Sequence, residues 1–433
     1  MRYSFLILFV ILIFSNISIG QNIVISGIIL SSDDHKPMPW AHLKLKNQNT
    51  GTISNAEGLF SLSVPKKLLQ DSLEVDYMGF KTYTEKLENL LGKNNLTILL
   101  EPDMISLSEV VITAQKGNVI KILYNALKKI PENYHSTPRN LKAFYREVSR
   151  LDFNEVSSKN IEIALGNGYK LAEAYIDIYK PGYDGKNNKE EVKLIKGRIV
   201  DPKEFNKNTD TLINYVLTSF NMEGGPLYTL EYDLDNFTDF SFLRHPKKYN
   251  YDLKEVTRMN GRDIYVIQFD QKPEIKKCLS QGTIYIETES LAITSIVFRK
   301  SKKNAQKLEK HSFFGVDLRM KDWLGQMEYQ QTPKGWVLKH IKVDMIVNIH
   351  TEGISKPITW LLGKEGKLMR NLKLDADFKQ ILELSVSEIS EKTQRFDKKE
   401  RFTKKDQIKE EMKNYDAEFW KNYNIILPER DIQ

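Results

Sequence analysis

From about residue 140 to about residue 385, apolar and polar residues alternate with a period of two, the pattern of strands that bury one face. "AEAYIDIYK" alternates over its whole length. In "EVTRMNGRDIYVIQFD" the pair Asn260-Gly261 separates two such runs, and Asn-Gly is the dipeptide that most readily adopts the positive φ angles of a two-residue hairpin turn. "GTIYIETESLAITSIVFRK" repeats the plan with a longer turn, and "MEYQQTPKGWVLKHIKVDMIV" repeats it with Thr332-Pro333-Lys334-Gly335 at the bend. Three hairpins in succession predict an antiparallel meander. One helix stands before it: Val119, Ile122, Leu123, Ala126, Leu127 and Ile130 fall on a single helical face, which Pro131 ends. Residues 114–390 are therefore expected to form an α+β unit, a curved, half-barrel-like antiparallel sheet beside a helix. The fold class is mostly β.

Residues 21–113 carry shorter strands. "WAHLKLKN" places Ala41, Leu43 and Leu45 on one face and His42, Lys44 and Lys46 on the other. In the turn after "GTIS", Gly58 can take positive φ and Asn55 can bond its own backbone. "SLEVDYMGFKTYTEKL" reads as strand, turn at Gly79, strand, and "LTILLEP" closes the series. Four or more short strands between Gly and Asn turns predict a small antiparallel β-sandwich.

These residues also carry a resemblance. Gly27, Pro39-Trp40-Ala41, Gly51, Thr52, Asn55, Gly58, Phe60, Gly79, Phe80 and the run from Glu109 to Ala114 resemble the carboxypeptidase-regulatory-like domain of Bacteroidetes-type envelope proteins. This domain also stands at the N-terminus of TonB-dependent receptors. Asn55 occupies a place where Asp is commoner. The resemblance implies a non-catalytic, transthyretin-like sandwich. A zinc carboxypeptidase, the domain's usual neighbour, would need a His and a Glu three residues apart to hold the metal. None of His35, His42, His135, His245, His311, His340 and His350 has Glu at that spacing. No metalloprotease helix, nucleophile elbow or phosphate-binding loop is found either. "GNGYKL" at Gly166 opens like a dinucleotide loop, but Leu171 stands where the third glycine belongs. No catalytic, cofactor-binding or metal-ligating residue is assigned. More loosely, the hairpin blocks are similar to periplasmic lipoprotein-carrier-like half-barrels, which implies a lipid-binding groove.

Arg2, the apolar run from Phe5 to Phe14, and the small residues Ser18 and Gly20 make residues 1–20 a secretory signal peptide. No later segment is long and apolar enough to span a bilayer as a helix. An exported chain is expected, in the periplasm, associated with the outer membrane, or secreted. Its one cysteine, Cys278, has no internal disulfide partner and reads as a bland thiol, although the lysines of "EIKKCLSQ" could lower its pKa. The net charge of +7 is spread without a basic run interleaved with aromatics, so nucleic acid is not expected as a partner.

Residues 391–433 begin with alternating charges that predict a solvated helix or linker and end in an aromatic segment, Phe419, Trp420, Tyr423, Ile425, Ile426 and Leu427, expected to dock back on the body. The stretch Ser106–Gln115, "SLSEVVITAQ", reads either as a docking box for an energy-coupling protein or as a last strand and hinge, with the hinge favoured. Taken together, a non-catalytic envelope protein that binds a protein partner or a lipid-like, apolar ligand is expected. Paired carboxylates leave no spacing to detect, which keeps an envelope hydrolase as one alternative. A barrel-less accessory relative of TonB-dependent receptors is the other.

Overall fold

The computed structural model describes residues 22–93, 95–103, 119–157, 169–183, 189–200, 225–234, 241–308, 310–313, 315–353, 372–390, 392–408, 411–412 and 414–430. The leader, the Glu109–Ala114 run, the Ser106–Gln115 stretch and Gly166 lie outside them.

The N-terminal strands form two small sheets. The first contains β1 (Asn22–Ser31), β4 (Leu59–Pro65) and β7 (Leu96–Leu100), and the second β2 (His42–Leu45), β3 (Gly51–Ile53), β5 (Ser72–Asp76) and β6 (Tyr83–Lys86), in the orders β4-β1-β7 and β3-β2-β5-β6. Ala41, Leu43 and Leu45 are buried between them with Phe60, Leu62, Leu73 and Val75, as the alternation requires. One feature differs from the antiparallel expectation: β1 and β7 run parallel. Alternation records which face a residue occupies and is silent on the direction of the neighbouring strand. Gly27 is where that neighbour comes close, since a Cβ there would lie 2.0 Å from the carbonyl oxygen of Leu96. Asn55 is buried and its Oδ1 accepts from the backbone of Glu57 and Leu59 at 3.0 and 2.9 Å, which sets the turn at Gly58 (φ 75°).

The larger unit is one open sheet of thirteen strands. In chain order these are β8 (Arg139–Val156), β9 (Tyr169–Lys180), β10 (Glu191–Val200), β11 (Tyr249–Met259), β12 (Arg262–Gln271), β13 (Ser280–Glu287), β14 (Ile293–Lys300), β15 (Lys310–Phe313), β16 (Val316–Thr332), β17 (Gly335–Thr351), β18 (Leu374–Ser390), β19 (Arg401–Phe402) and β20 (Glu411–Met412). The spatial order is β11-β12-β13-β14-β16-β17-β18-β8-β9-β10-β19, with β15 beside β16 and β20 beside β10. The three predicted hairpins are β11–β12, β13–β14 and β16–β17. Asn260 and Gly261 take φ of 53° and 70°, as a primed turn demands.

The two faces of this sheet differ in chemistry. One is apolar and is covered by α1 (Val119–Lys128), α2 (Ile130–Asn133), α3 (Gly225–Leu230) and α4 (Ser241–Arg244), with Val119, Leu123, Ala126 and Phe242 in its core. Phe242 stacks on Phe269 at 4.3 Å between ring centres. The other face is polar, and the sandwich and the C-terminal segment cover it. Phe144 on β8 and Tyr175 on β9 meet Ile53 of the sandwich and Trp420, Ile425 and Ile426 of the tail. The tail is bonded to both units. Thr52 Oγ1 donates to the Ile425 carbonyl at 2.9 Å, Asn55 Nδ2 to that of Pro428 at 3.2 Å, and Arg146 Nη1 to that of Leu427 at 3.0 Å.

At the centre of that layer Arg146, Glu173 and Arg198 stand opposite one another across β8, β9 and β10. All are at most 1% exposed. Arg146 reaches Glu173 Oε1 from Nε and Nη2 at 3.1 and 2.7 Å, while Arg198 reaches Oε2 from the same two atoms at 2.9 and 2.8 Å. Trp420 Nε1 adds a donor to Oε2 at 2.7 Å. Five donors on one carboxylate satisfy its charge and its lone pairs, while the second guanidinium charge is met by carbonyls of the tail.

The described residues of 391–415 form the short strands β19 and β20 on β10, where a helix or linker was expected. The charges responsible for that expectation bind this edge: Arg395 and Arg401 both pair with buried Glu191, and Lys193 pairs with Glu400.

A substitution at the triad tests its role. Glu173→Gln leaves two arginines buried against a neutral amide, and is expected to destabilise the protein by about 3–5 kcal/mol, whereas replacing all three by Met removes the buried charges, leaves only Trp420 Nε1 and the tail carbonyls without partners, and is expected to destabilise it less. Denaturant unfolding of the two variants measures both; equal destabilisation would contradict it.

Candidate functional site

The sheet splits between β17 and β18. These strands pair from Thr351↔Leu374 to His340↔Ser385 and no further. Past that point β17 continues with β16, and β18 with β8, but not with each other. Two bulges mark the fork. On β17, Leu338 faces Tyr329 and His340 faces Glu328, so Lys339 is the extra residue. On β18, Val386 faces Ala143 and Glu388 faces Lys142, so Ser387 is the extra one. A bulge re-aims a side chain, and here it turns Lys339 into the gap, where Nζ donates to the Val386 carbonyl at 2.9 Å.

The sandwich closes the fork from outside. Its β2–β3 hairpin comes alongside β18 through a bridge between Thr50 and Glu388 and a bond from Ile389 N to the Asn49 carbonyl at 3.0 Å. The cleft between them, partly open to solvent, measures about 740 Å³ and is walled by Lys44–Gly51, His135, Arg139, Gln330–Lys334, Lys339 and the end of β18. A second cavity of about 230 Å³ lies on the other side of Lys339, against His42, Asp76 and Arg262. The larger cavity has amide, hydroxyl and cationic side chains on its walls and no carboxylate.

Its electrostatics follow from that wall. Lys339 is 2% exposed. Burial lowers its pKa, the charge of Glu328 opposes this, Lys44 adds to it, and the result is about 8. His135 is drawn down to about 4 by burial and by the charges of Arg139 and Lys334. Its Nδ1 accepts from Arg139 Nε at 2.9 Å, so the neutral ring donates from Nε2 to Thr332 Oγ1, also at 2.9 Å.

Beside the cavities, ionisable groups join the sandwich to the sheet. His42 Nε2 lies 2.6 Å from Glu328 Oε2, and Gln326 donates to Oε1 at 2.8 Å. His340 Nε2 and Trp40 Nε1 each lie 3.0 Å from Glu383 Oε1. Burial pushes Glu383 up, but His340 by bond and charge, with Lys342 and Arg146, brings it to about 2. Burial likewise raises Glu328, and His42 with His340 holds it below the usual carboxylate value. Trp40 sits at φ 58°, a costly backbone region for an aromatic residue, and is held there by Glu383 and by Lys342 over its ring at 4.2 Å.

No catalytic, metal or cofactor residue was assigned from sequence. Among the described residues no three His, Cys, Asp or Glu side chains gather in a group able to hold a metal ion. Of the seven histidines, His42 and His340 come together at the interface and His135 joins the fork wall. His350 lies away from the fork, near the far end of β17, 3.3 Å from Asp375. Cys278 is half-buried, with Sγ 3.3 Å from the Ser301 carbonyl. Burial pushes its thiol up, with Lys300 only opposing, so the lysines of its neighbourhood do not activate it. Lys339 was missed. Its signal in the sequence was a slip of phase, two apolar residues (Val337, Leu338) followed by two polar ones (Lys339, His340).

Acid should weaken the fold in two stages. His135 has a folded pKa below its ordinary 6.5, so stability is full above 6.5 and is lost as pH falls towards 4. Glu383 lies below its ordinary 4.5, so its contribution is lost from there towards about 2. Denaturation midpoints measured against pH are expected to show both, and His135→Gln is expected to abolish the upper one; an unchanged slope between pH 6.5 and 4 in that variant would contradict the assignment.

Residues 25–112 match the family model described as CarboxypepD_reg-like domain. A 120-residue stretch is 28% identical to TonB-dependent receptor P3 of Formosa agariphila, covering 27% of this chain and 11% of that receptor. This chain thus spans only about a tenth of the relative's length. Among solved structures, a DUF1329 family protein from Desulfovibrio piger aligns over 62% of this chain and 92% of its own, at 8% identity and TM-score 0.19. MucB aligns over 64% and 95%, at 8% identity and TM-score 0.19, and lipovitellin over 60% and 26%, at 10% identity and TM-score 0.24. Scores this low define neither fold nor function. The sandwich is what the comparisons identify: residues 25–112 are similar to the CarboxypepD_reg-like domain family.

Proposed function

We propose that the chain is an exported, non-catalytic cell-envelope protein that holds a polar group of a partner in the fork between its sandwich and its large sheet. The observation that carries this is the division of labour among its buried ionisable groups. Glu173, Glu328 and Glu383 are spent on joining the sandwich, the tail and the sheet, while the fork cavity beside them has hydrogen-bonding walls with no acid on them. A neighbouring cavity of about 430 Å³ does have Asp76, Glu255 and Glu328 on its wall, but there Asp76 is bound by Thr82 and Lys44, and Glu328 by His42. Hydrolysis by an acid pair needs a carboxylate free to face substrate. An apolar ligand is the less favoured occupant. Phe242, Phe269, Phe298 and Tyr249 already fill the apolar face where an acyl chain would lie. Envelope location is supported by the leader-like N-terminus and by the CarboxypepD_reg-like domain. No helix among the described residues is long and apolar enough to cross a membrane. A second reading, an accessory that works beside an outer-membrane receptor, is favoured by the 120-residue match to one.

Photo-crosslinking tests the proposal. A crosslinkable residue in place of Gln48 or Lys334, both exposed at the rim of the fork, is expected to give discrete adducts in envelope preparations. The same residue in place of exposed Lys93 is expected to give none. Adducts at all three positions, or at none, would contradict it, and co-isolation of a receptor with the rim adducts would favour the accessory reading.

A further inference from the structure

We infer that the fork is an oxyanion site, in which Lys339 receives a phosphate, sulfate or carboxylate group and the rest of the cavity receives the molecule that bears it. This rests on the binding role proposed above and names the chemistry of what is bound. A buried ammonium is costly unless it is paired. Among the described residues the bond recorded for Lys339 is the one to the Val386 carbonyl, and no carboxylate lies within ion-pair distance of its Nζ. The cost is not an accident of packing, because a bulge in β17 and the ending of β17–β18 pairing are what direct the side chain into the gap. Lys339 borders both the large cavity and the small one behind it.

The surroundings share its sign. From the sandwich come Lys44 and Lys46, from the start of β8 Arg139, and from the β16–β17 turn Lys334. Lys44 is neutralised in part by Asp76 at 3.1 Å and Glu74 at 3.3 Å, and Glu328 is taken by His42. Behind Lys339 stands Arg262. Burial and then the charges of Arg139 and Lys334 keep His135 neutral in the same space. A volume of about 740 Å³ is far more than one anion needs and lies in the range of small-molecule sites, and Asn47, Asn49, Gln330 and Gln331 offer amides to a hydroxyl-rich or peptidic carrier.

The test uses the full chain with inorganic phosphate, sodium sulfate and sodium acetate, against sodium chloride at equal ionic strength. At least one of the three is expected to raise the unfolding temperature of the wild type. Lys339→Met, which keeps the volume and removes the charge, is expected to fold, to melt no lower than the wild type without added anion, and to bind that anion about tenfold or more weakly. Binding to the wild type is expected to weaken as pH rises from 7 through 9, as the ammonium is lost. No anion effect beyond chloride, or an equal effect in Lys339→Met, would overturn the assignment. Rim adducts without an anion effect would refute only the oxyanion chemistry, whereas absence of both would refute the binding role as well.

Discussion

One carboxylate, Glu173, organises the layer on which the rest of the molecule is assembled. It lies in the middle of three adjacent strands with an arginine directly opposite on either side, and neither arginine has access to water. Each guanidinium makes two bonds to Glu173 and more to the tail, Arg146 to the carbonyls of Ile426 and Leu427 and Arg198 to that of Asp416. The tail is therefore part of the charge compensation. Without it the arginines would keep donors in a dry layer with no acceptor, and the sheet would expose Phe144 and Tyr175.

The sandwich follows from the same layer. The tail that completes the triad also bonds Thr52, Asn55 and the Ser63 backbone, so the two β units are joined through a third element that both need. Asn55 shows how closely the fit is specified. Its Oδ1 builds the turn as an Asp would, but its Nδ2 donates to the Pro428 carbonyl, which a carboxylate cannot do. Once the sandwich is seated, its β2–β3 hairpin lies at the fork, and the cavity around Lys339 exists because β17 and β18 have parted beneath it.

Much of the fold was legible where packing obeys a local period. The face of Ala41, Leu43 and Leu45, the helical stripe from Val119 to Ala126 and the Asn260-Gly261 turn each arise from geometry within a dozen residues, and each lies where its pattern places it. What was not legible depends on distance along the chain. β18 sits between β17 and β8, more than two hundred residues from the latter, and β7 runs parallel to β1 without any mark in its side chains. The charged stretch after residue 391 looked solvated because its partners, Glu191 and Lys193, belong to a strand two hundred residues earlier. For the candidate site the sequence held only the phase slip at Leu338-Lys339. The polar face of the sheet was visible as alternation, but alternation does not say whether water or a second domain covers it.

Central to this account is the claim that sandwich, tail and large sheet form one cooperative unit joined through the Glu173 layer. Native-state hydrogen exchange resolved by peptide measures this directly, by comparing opening free energies of β2 and β5 in the sandwich with those of β8 and β9 in the sheet. Equal values that fall together with denaturant are the predicted result. A sandwich that opens at markedly lower free energy while β8 and β9 stay protected would contradict it.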